Sequence, residues 1–206
     1  MTFQRFWWLV ILLIFHLLIS PNVSADDSQS EKYTSNYLWT LSAFVGPHAD
    51  DTLTDIYTLN ATYSDDNYVA VMALAREVYQ YKQWVSVEIE GQVGKHFGTD
   101  VDHWEFVGLI MGRWHPFLWD RYIDSSFAIG IGLSYNSDLS QIELEEKEDD
   151  EDVQRLLGSL AFELTFGLPQ YPRWNLIFRI HHRSGAGSLI GEASTNYVCA
   201  GLKLAF

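Results

Sequence analysis

Apolar and polar residues alternate along most of the chain between Tyr37 and Phe206. In the segment WVSVEIEGQV the odd positions from Val85 to Val93 are mainly valine and isoleucine, and the even positions from Ser86 to Gln92 are polar. The segments FAIGIGLSY and LAFELTFGL repeat the pattern, with large apolar residues alternating with small or polar ones. Side chains two positions apart share one face of a strand, so each segment predicts a strand with one apolar face.

The alternation occurs in eight segments separated by turn signals. They are Tyr37–Gly46, Asn67–Val78, Trp84–Phe97, His103–His115, Ile123–Asn136, Leu156–Leu168, Trp174–Ser184 and Asn196–Phe206. The connections after the second, fourth and sixth segments are short, and the others are mostly longer. Segments of about ten residues with short turns on one side and long loops on the other are typical of outer-membrane β-barrels. The pattern predicts an all-β fold, an eight-stranded antiparallel transmembrane β-barrel whose interior is filled by polar side chains.

A soluble β-sandwich or a lipocalin-like barrel is the alternative fold, because its strands also alternate. Two features favour the membrane barrel over this alternative: glycine and alanine on the inner face lie opposite bulky outward residues, and no helix or linker is evident in the sequence pattern. Several tryptophans near predicted strand ends and the last residue, Phe206, are also typical of outer-membrane barrels.

The first 25 residues have the pattern of a secretory signal peptide. One positive charge, Arg5, precedes an apolar run from Trp7 to Ile19, and small residues lead to a predicted cleavage site after Ala25. That run is shorter than the roughly 18 residues of a transmembrane helix, so a retained anchor is the weaker interpretation. We therefore predict a signal peptide at 1–25, a flexible leader at 26–36 and the barrel at 37–206.

The charge balance narrows the range of partners. With 13 basic and 27 acidic residues the formal charge is −14, which argues against nucleic acid. One cysteine excludes a disulfide framework within the chain. The acidic block from Glu143 to Val153 falls in a predicted outer loop. It is either a solvated loop or a site for divalent cations shared with lipopolysaccharide phosphates.

Several charged residues fall on the predicted inner face. The turn around Pro169–Arg173 places Glu163 opposite Arg179, where an ion pair is expected. The same interior network is expected to include Glu88, Glu90, Glu105, Arg76, Arg113 and Lys203.

The seventh and eighth segments place polar residues at positions whose side chains are predicted to face lipid. His182 and Ser184 continue the apolar parity of Phe178 and Ile180, and Asn196 continues that of Val198. A hairpin centred near Leu189 would place His182 directly opposite Asn196. Polar groups on a lipid face are costly. A hydroxyl, an imidazole and an amide together have the residue types of an acyl-transfer triad.

The motif HHRSGAG resembles the His-x-Ser signature of the lipid A 3-O-deacylase (PagL) family. These eight-stranded outer-membrane barrels hydrolyse an ester-linked acyl chain of lipid A at their outer wall. The resemblance is strongest over Leu160–Phe206 and implies that His182 is the general base and Ser184 the nucleophile. It further implies an oxyanion hole formed by the backbone around Gly185 and Gly187.

The motif departs from the family pattern at two positions. The family usually has Asn where this chain has Gly185, and it has an orienting Glu where this chain has Asn196. An amide can hold a histidine tautomer but gives the imidazolium no countercharge. Glu192, in the preceding loop, is a second candidate for the orienting group.

The sequence therefore supports two functional hypotheses. The first is an outer-membrane esterase that acts on lipid A or lipopolysaccharide in the outer leaflet, without a metal or other cofactor. The second is a non-enzymatic barrel with a structural or adhesive role, in which His182 and Ser184 only cap a strand at the headgroup level. The sequence leaves the acyl chain and the oligomeric state open.

Overall fold

The computed structural model describes residues 37–139, 142, 144, 154–185 and 194–206. The predicted signal peptide, the leader and, except for Leu144, the acidic block lie outside the described residues. The eight strands are β1 (Trp39–Ala49), β2 (Tyr63–Tyr81), β3 (Val85–Phe97), β4 (Asp102–Trp114), β5 (Asp124–Asn136), β6 (Leu156–Gly167), β7 (Trp174–Ser184) and β8 (Ser194–Ala205). Each strand pairs antiparallel with the next, and β8 pairs with β1 to close the barrel.

The predicted fold class is confirmed, and the main difference lies in β2. This strand has 19 residues and extends beyond both predicted ends. Its outer end pairs with β1 through Ala49 and Tyr63, beyond an irregularity in the register near Pro47. The polar residues YSDDN carry no apolar alternation, so the pattern could not predict this extension. We call the end of the barrel where β1 joins β2 and β7 joins β8 the outer end.

The outer surface of the barrel is apolar. Large side chains on alternate positions of the strands are exposed, including Ile110 at 60% and Ile131 at 68%. Tryptophans lie half-exposed near the strand ends, among them Trp84, Trp104 and Trp174. A closed barrel satisfies its backbone hydrogen bonds internally, and an apolar exterior of this size belongs in lipid. The chain is an outer-membrane barrel. In the part of the chain that the structure describes, no helix is long and apolar enough to cross a membrane.

The lumen contains a charge-balanced ionic network. Arg179 Nε donates to Glu163 Oε2 at 2.9 Å and Arg179 Nη1 donates to Glu90 Oε1 at 2.6 Å. Arg113 bonds Glu88 and Glu163, and Lys203 Nζ donates to Glu163 Oε1 at 2.9 Å. The register pairs Glu163 with Arg179, which confirms the predicted ion pair.

Two residues that were expected in this network make other contacts. Arg76 is on the outer face with Met72 and Leu74, and its guanidinium lies 5.3 Å from the centre of the Trp39 ring. A long side chain near a strand end can keep its charge in the headgroup region, which explains why Arg76 is tolerated there. Glu105 is in the lumen and bonds His96 and His181.

A short helix interrupts the β1–β2 loop, which we define as residues 50–62. Helix α1 (Leu53–Tyr57) begins after Thr52, whose side chain and backbone exchange hydrogen bonds with Asp55. This capping box was visible in the sequence as TLTD, so the expectation that no helix is present was wrong. Ile56 in this helix is only 5% exposed.

We expect the mature protein to fractionate with the outer membrane as a β-rich protein with heat-modifiable migration. A closed barrel keeps its hydrogen bonds in detergent until heating opens it. Electrophoresis of unheated and boiled samples should therefore give two bands of different mobility. Recovery as a soluble periplasmic monomer would contradict the membrane fold.

Candidate active site

The β7–β8 ladder places the polar residues of the motif on one patch of the outer wall. His182 pairs directly with Asn196, as the predicted hairpin register requires, and Ser184 pairs with Ser194. Neighbouring residues of opposite parity, such as His181 and Arg183, are buried in the lumen. The patch, defined as His182, Ser184, Ser194 and Asn196, lies at the outer end of the barrel.

A chain of two hydrogen bonds orders the histidine. The Asp51 carbonyl can only accept, so it takes the Asn196 Nδ2 donor at 3.0 Å. This leaves Asn196 Oδ1 facing His182 Nδ1 at 2.7 Å. Because Oδ1 only accepts, His182 Nδ1 carries the hydrogen. The neutral ring therefore has its free lone pair on Nε2, which is the tautomer a general base requires.

Asp51 is itself held by its side chain. Its carboxylate accepts from the Thr62 backbone nitrogen at 2.6 Å and from Thr62 Oγ1 at 2.7 Å. These two bonds favour the ionised form and hold the pKa of the Asp51 carboxyl below its usual range. They tie the two ends of the β1–β2 loop together beside the patch.

The structure brings together only part of the predicted site. His182 and Asn196 are hydrogen-bonded, but among the described residues no hydrogen bond joins Ser184 Oγ to the His182 ring. Catalytic hydrogen bonds are often long before substrate binds. Gly185 is buried just after β7, whereas Gly187 and Glu192 lie outside the described residues.

Ser194 is a second hydroxyl on the patch that sequence reasoning missed. It stands directly across the ladder from Ser184 and two residues before Asn196 on the same face. The hairpin register that placed Asn196 opposite His182 also predicts this position. Residues diagonal across a ladder lie within about 8 Å, so Ser194 also lies near the His182 ring.

The β1–β2 loop covers the outer wall beside the patch. The Tyr57 ring packs edge-on against Phe162, with 5.4 Å between ring centres. Phe162 lies on the outward parity of β6, between the buried Ala161 and Glu163, so Tyr57 reaches it from outside the barrel. Desolvation there raises the pKa of Tyr57 to about 12, and its hydroxyl stays neutral.

Outward side chains near the patch are more buried than those nearer the inner end of the same strands. Phe162, Ile180 and Val198, one from each of β6, β7 and β8, are half-buried. Outward residues nearer the inner end of the same strands, Phe178 and Leu202, are about half exposed, at 49% and 50%. The loop starts at β1 and reaches β6, so it passes over β8 and β7. The loop therefore covers the side of the patch where Asn196 lies, through the Asp51 carbonyl.

A separate histidine cluster occupies the lumen near the outer end. His96 Nε2 and His181 Nε2 both lie within 2.9 Å of Glu105 Oε2, and the His96 and His103 rings stack at 4.4 Å. Within the described ranges, no group of three His, Cys, Asp or Glu side chains is placed to bind a metal ion. The cluster faces away from the patch.

Solved structures of outer-membrane proteins resemble this chain, and the first of them supports the fold. The outer membrane enzyme PagL aligns over 81% of this chain and 99% of its own, with a TM-score of 0.59 and 13% identity. Neisserial surface protein A (NspA) aligns over 82% of this chain and 97% of its own, with a TM-score of 0.49 and 6% identity. The outer membrane protein OprG from Pseudomonas aeruginosa aligns over 82% of this chain and 96% of its own, with a TM-score of 0.40 and 13% identity.

No family profile matches the sequence, and no curated protein matches it. At these identities the structural similarity concerns the fold alone. The chain is a small eight-stranded barrel of the outer-membrane type.

Proposed function

We propose that this protein is an outer-membrane esterase that removes an ester-linked acyl chain from lipid A. The observation that carries the proposal is the His182–Asn196 hydrogen bond of 2.7 Å on the outer wall, with Ser184 two residues along the same face. Such an arrangement costs stability in a lipid-facing wall, and hydrolysis of a membrane ester gives it a purpose. The His-x-Ser motif and the structural similarity to the enzyme PagL support the same class of reaction.

The reaction follows from the tautomer of His182. Nε2 takes the hydroxyl proton of Ser184 as Oγ attacks the ester carbonyl carbon, and the carbonyl oxygen becomes an oxyanion. Backbone N–H groups around Gly185 and Gly187 are proposed to donate to it. Collapse breaks the ester bond, and the imidazolium gives its proton to the departing alkoxide oxygen, which becomes a lipid A hydroxyl. Water, activated by the same nitrogen, then hydrolyses the acyl-enzyme and releases the fatty acid.

The position of the patch fits a membrane substrate. Lipid A is anchored in the outer leaflet, so its ester bonds lie near the outer edge of the apolar wall. His182 and Ser184 lie at that level, above the exposed side chains of Phe178 and Leu176. Substrate could reach the patch by diffusion in the membrane plane.

A non-enzymatic role is the second candidate. Two observations favour it: Ser184 Oγ makes no hydrogen bond to His182 among the described residues, and Asn196 provides no negative charge for an imidazolium. In that case the patch is a polar cap at the headgroup level, and the barrel anchors or stabilises the envelope.

Mass spectrometry of lipid A separates the two functions. We expect lipid A from cells that produce the protein to contain a species lighter by one acyl chain, which cells without the protein lack. The purified barrel in detergent should release free fatty acid from lipopolysaccharide without added metal. Unchanged lipid A in the presence of folded, membrane-inserted protein would contradict the esterase and favour the structural barrel.

A further inference from the structure

The residue that orients His182 is the amide Asn196. An amide can do so only in the rotamer that points its oxygen at the His182 ring. Asn196 presents one acceptor and one donor on opposite sides, so a 180° rotation would point Nδ2 at His182. The ring would then have to accept at Nδ1, and its hydrogen would move to Nε2. That tautomer cannot take a proton from Ser184. Something besides His182 must therefore fix the amide.

The structure shows one partner that does so. The Asp51 carbonyl accepts from Asn196 Nδ2 at 3.0 Å, although the two residues are 145 positions apart. Asn196 is only 6% exposed, so water has little access to replace this bond. The carbonyl comes from the β1–β2 loop, outside the β7–β8 hairpin that contains the motif.

The β1–β2 loop is fastened at two points. Near β1, the Asp51 carboxylate accepts two hydrogen bonds from Thr62. Near its middle, helix α1 buries Ile56 and packs Tyr57 against Phe162 of β6. These contacts keep the Asp51 carbonyl at a fixed place above the patch.

We propose that Asp51 is a positioning residue for His182. Its main-chain carbonyl fixes the Asn196 amide, and the amide holds His182 with Nε2 free for Ser184. The kinetic consequence rests on the proposed esterase function, whereas the control of the histidine tautomer does not. The β1–β2 loop is in this way a working part of the site and not only a connection.

The proposal predicts that the effect of changing Asp51 depends on the residue at position 196, because a carboxylate orients His182 equally well in either rotamer. Both oxygens of an aspartate accept, so Asn196→Asp holds the hydrogen on His182 Nδ1 in either rotation. A less firmly held Asp51 carbonyl should therefore change the His182 tautomer and kcat in the wild type, but should have no further effect in Asn196→Asp. A merely structural loop would not show this dependence.

The test measures the tautomer and the rate in the same variants. Asp51→Ala and the milder Thr62→Val are prepared as the full mature chain in detergent, alone and in the Asn196→Asp background. ¹⁵N NMR of the His182 ring reports which nitrogen carries the hydrogen. Fatty-acid release from lipopolysaccharide gives kcat and KM. Asp100→Ala is the matched control, since Asp100 makes a comparable outer-turn bond with Asn67 at 2.8 Å, away from the patch.

We expect Asp51→Ala to shift His182 toward a mixture of tautomers and to lower kcat by about fivefold to tenfold with little change in KM, the effect of one hydrogen bond. Thr62→Val should shift both in the same direction but less, and Asp100→Ala should change neither. In Asn196→Asp, adding Asp51→Ala should leave the Nδ1–H tautomer and kcat as they were.

An unchanged tautomer in Asp51→Ala would overturn the proposal, and so would an equal loss of kcat in both backgrounds. If the wild type releases no fatty acid, the esterase function fails, but the NMR measurement still decides whether Asp51 positions His182. The two failures are therefore distinguishable.

Discussion

Ser184→Ala is expected to abolish fatty-acid release from lipopolysaccharide, with a loss of about 10³-fold or more in kcat. Removal of the nucleophile of a hydrolytic triad leaves only the contribution of substrate binding and the oxyanion hole. The change deletes one oxygen from a half-buried residue at a strand end, so the barrel should keep its heat-modifiable migration. Initial rates with the purified variant and mass spectrometry of lipid A from producing cells measure the effect.

Ser194→Ala is the matched control, because Ser194 faces Ser184 across the β7–β8 ladder on the same wall. Both substitutions remove a hydroxyl from the same patch, so a general effect on packing or on lipid contact should appear in both. We expect Ser194→Ala to stay active. If Ser194→Ala is inactive and Ser184→Ala is active, the nucleophile is Ser194 on β8. Full activity in both variants would contradict a serine mechanism.

Much of the fold could be predicted because the strands of a membrane barrel alternate apolar residues with polar or small ones, and this pattern can be read locally. Each strand repeats with period two, and short inner turns fix the register of the strands on either side. The pairing of Glu163 with Arg179 followed from the turn between β6 and β7 alone. Arg76 differs from the expectation because it shares the outward parity of Met72, and its charge does not bring it into the lumen.

The site could be predicted only as far as the β7–β8 hairpin determines it. A symmetric hairpin put His182 opposite Asn196, and the same symmetry would have found Ser194. The contact between Asp51 and Asn196 joins residues 145 positions apart. It depends on how the β1–β2 loop folds back over the wall, which no periodicity encodes. The TLTD capping box was the one local signal that this loop is ordered.

The absence of a countercharge at Asn196 has a physical consequence for the mechanism. A carboxylate would stabilise the imidazolium that forms when Ser184 attacks, whereas an amide stabilises only the neutral tautomer. In the proposed esterase, Asn196 would therefore order the base more than it stabilises the charged form of the base. A low rate is then expected, and the ordering contact with the Asp51 carbonyl becomes more important.

The largest loss of stability is expected from Arg179→Met. Arg179 is 1% exposed and donates to both Glu163 and Glu90, so its removal leaves two buried carboxylates short of a partner. Breaking one side of a buried ion pair costs about 3–5 kcal/mol, because the remaining charge is left uncompensated. Arg76→Met makes the same substitution on the outer face beside Trp39 and should cost far less.

The double variant Arg179→Met with Glu163→Gln tests whether the cost comes from charge imbalance. Glu163→Gln alone leaves Arg113, Arg179 and Lys203 facing too few carboxylates and should destabilise the barrel as well. Together the two changes restore the balance of charge in this part of the lumen, so the double variant should lose less stability than the sum of the single variants. Some cost should remain because Glu90 still lacks its arginine. Urea unfolding of the refolded barrel in lipid vesicles, with the shift between folded and unfolded bands as readout, measures the wild type and all four variants. Additive losses, or an Arg179→Met variant as stable as Arg76→Met, would show that the lumen network does not hold the barrel together in the way its geometry indicates.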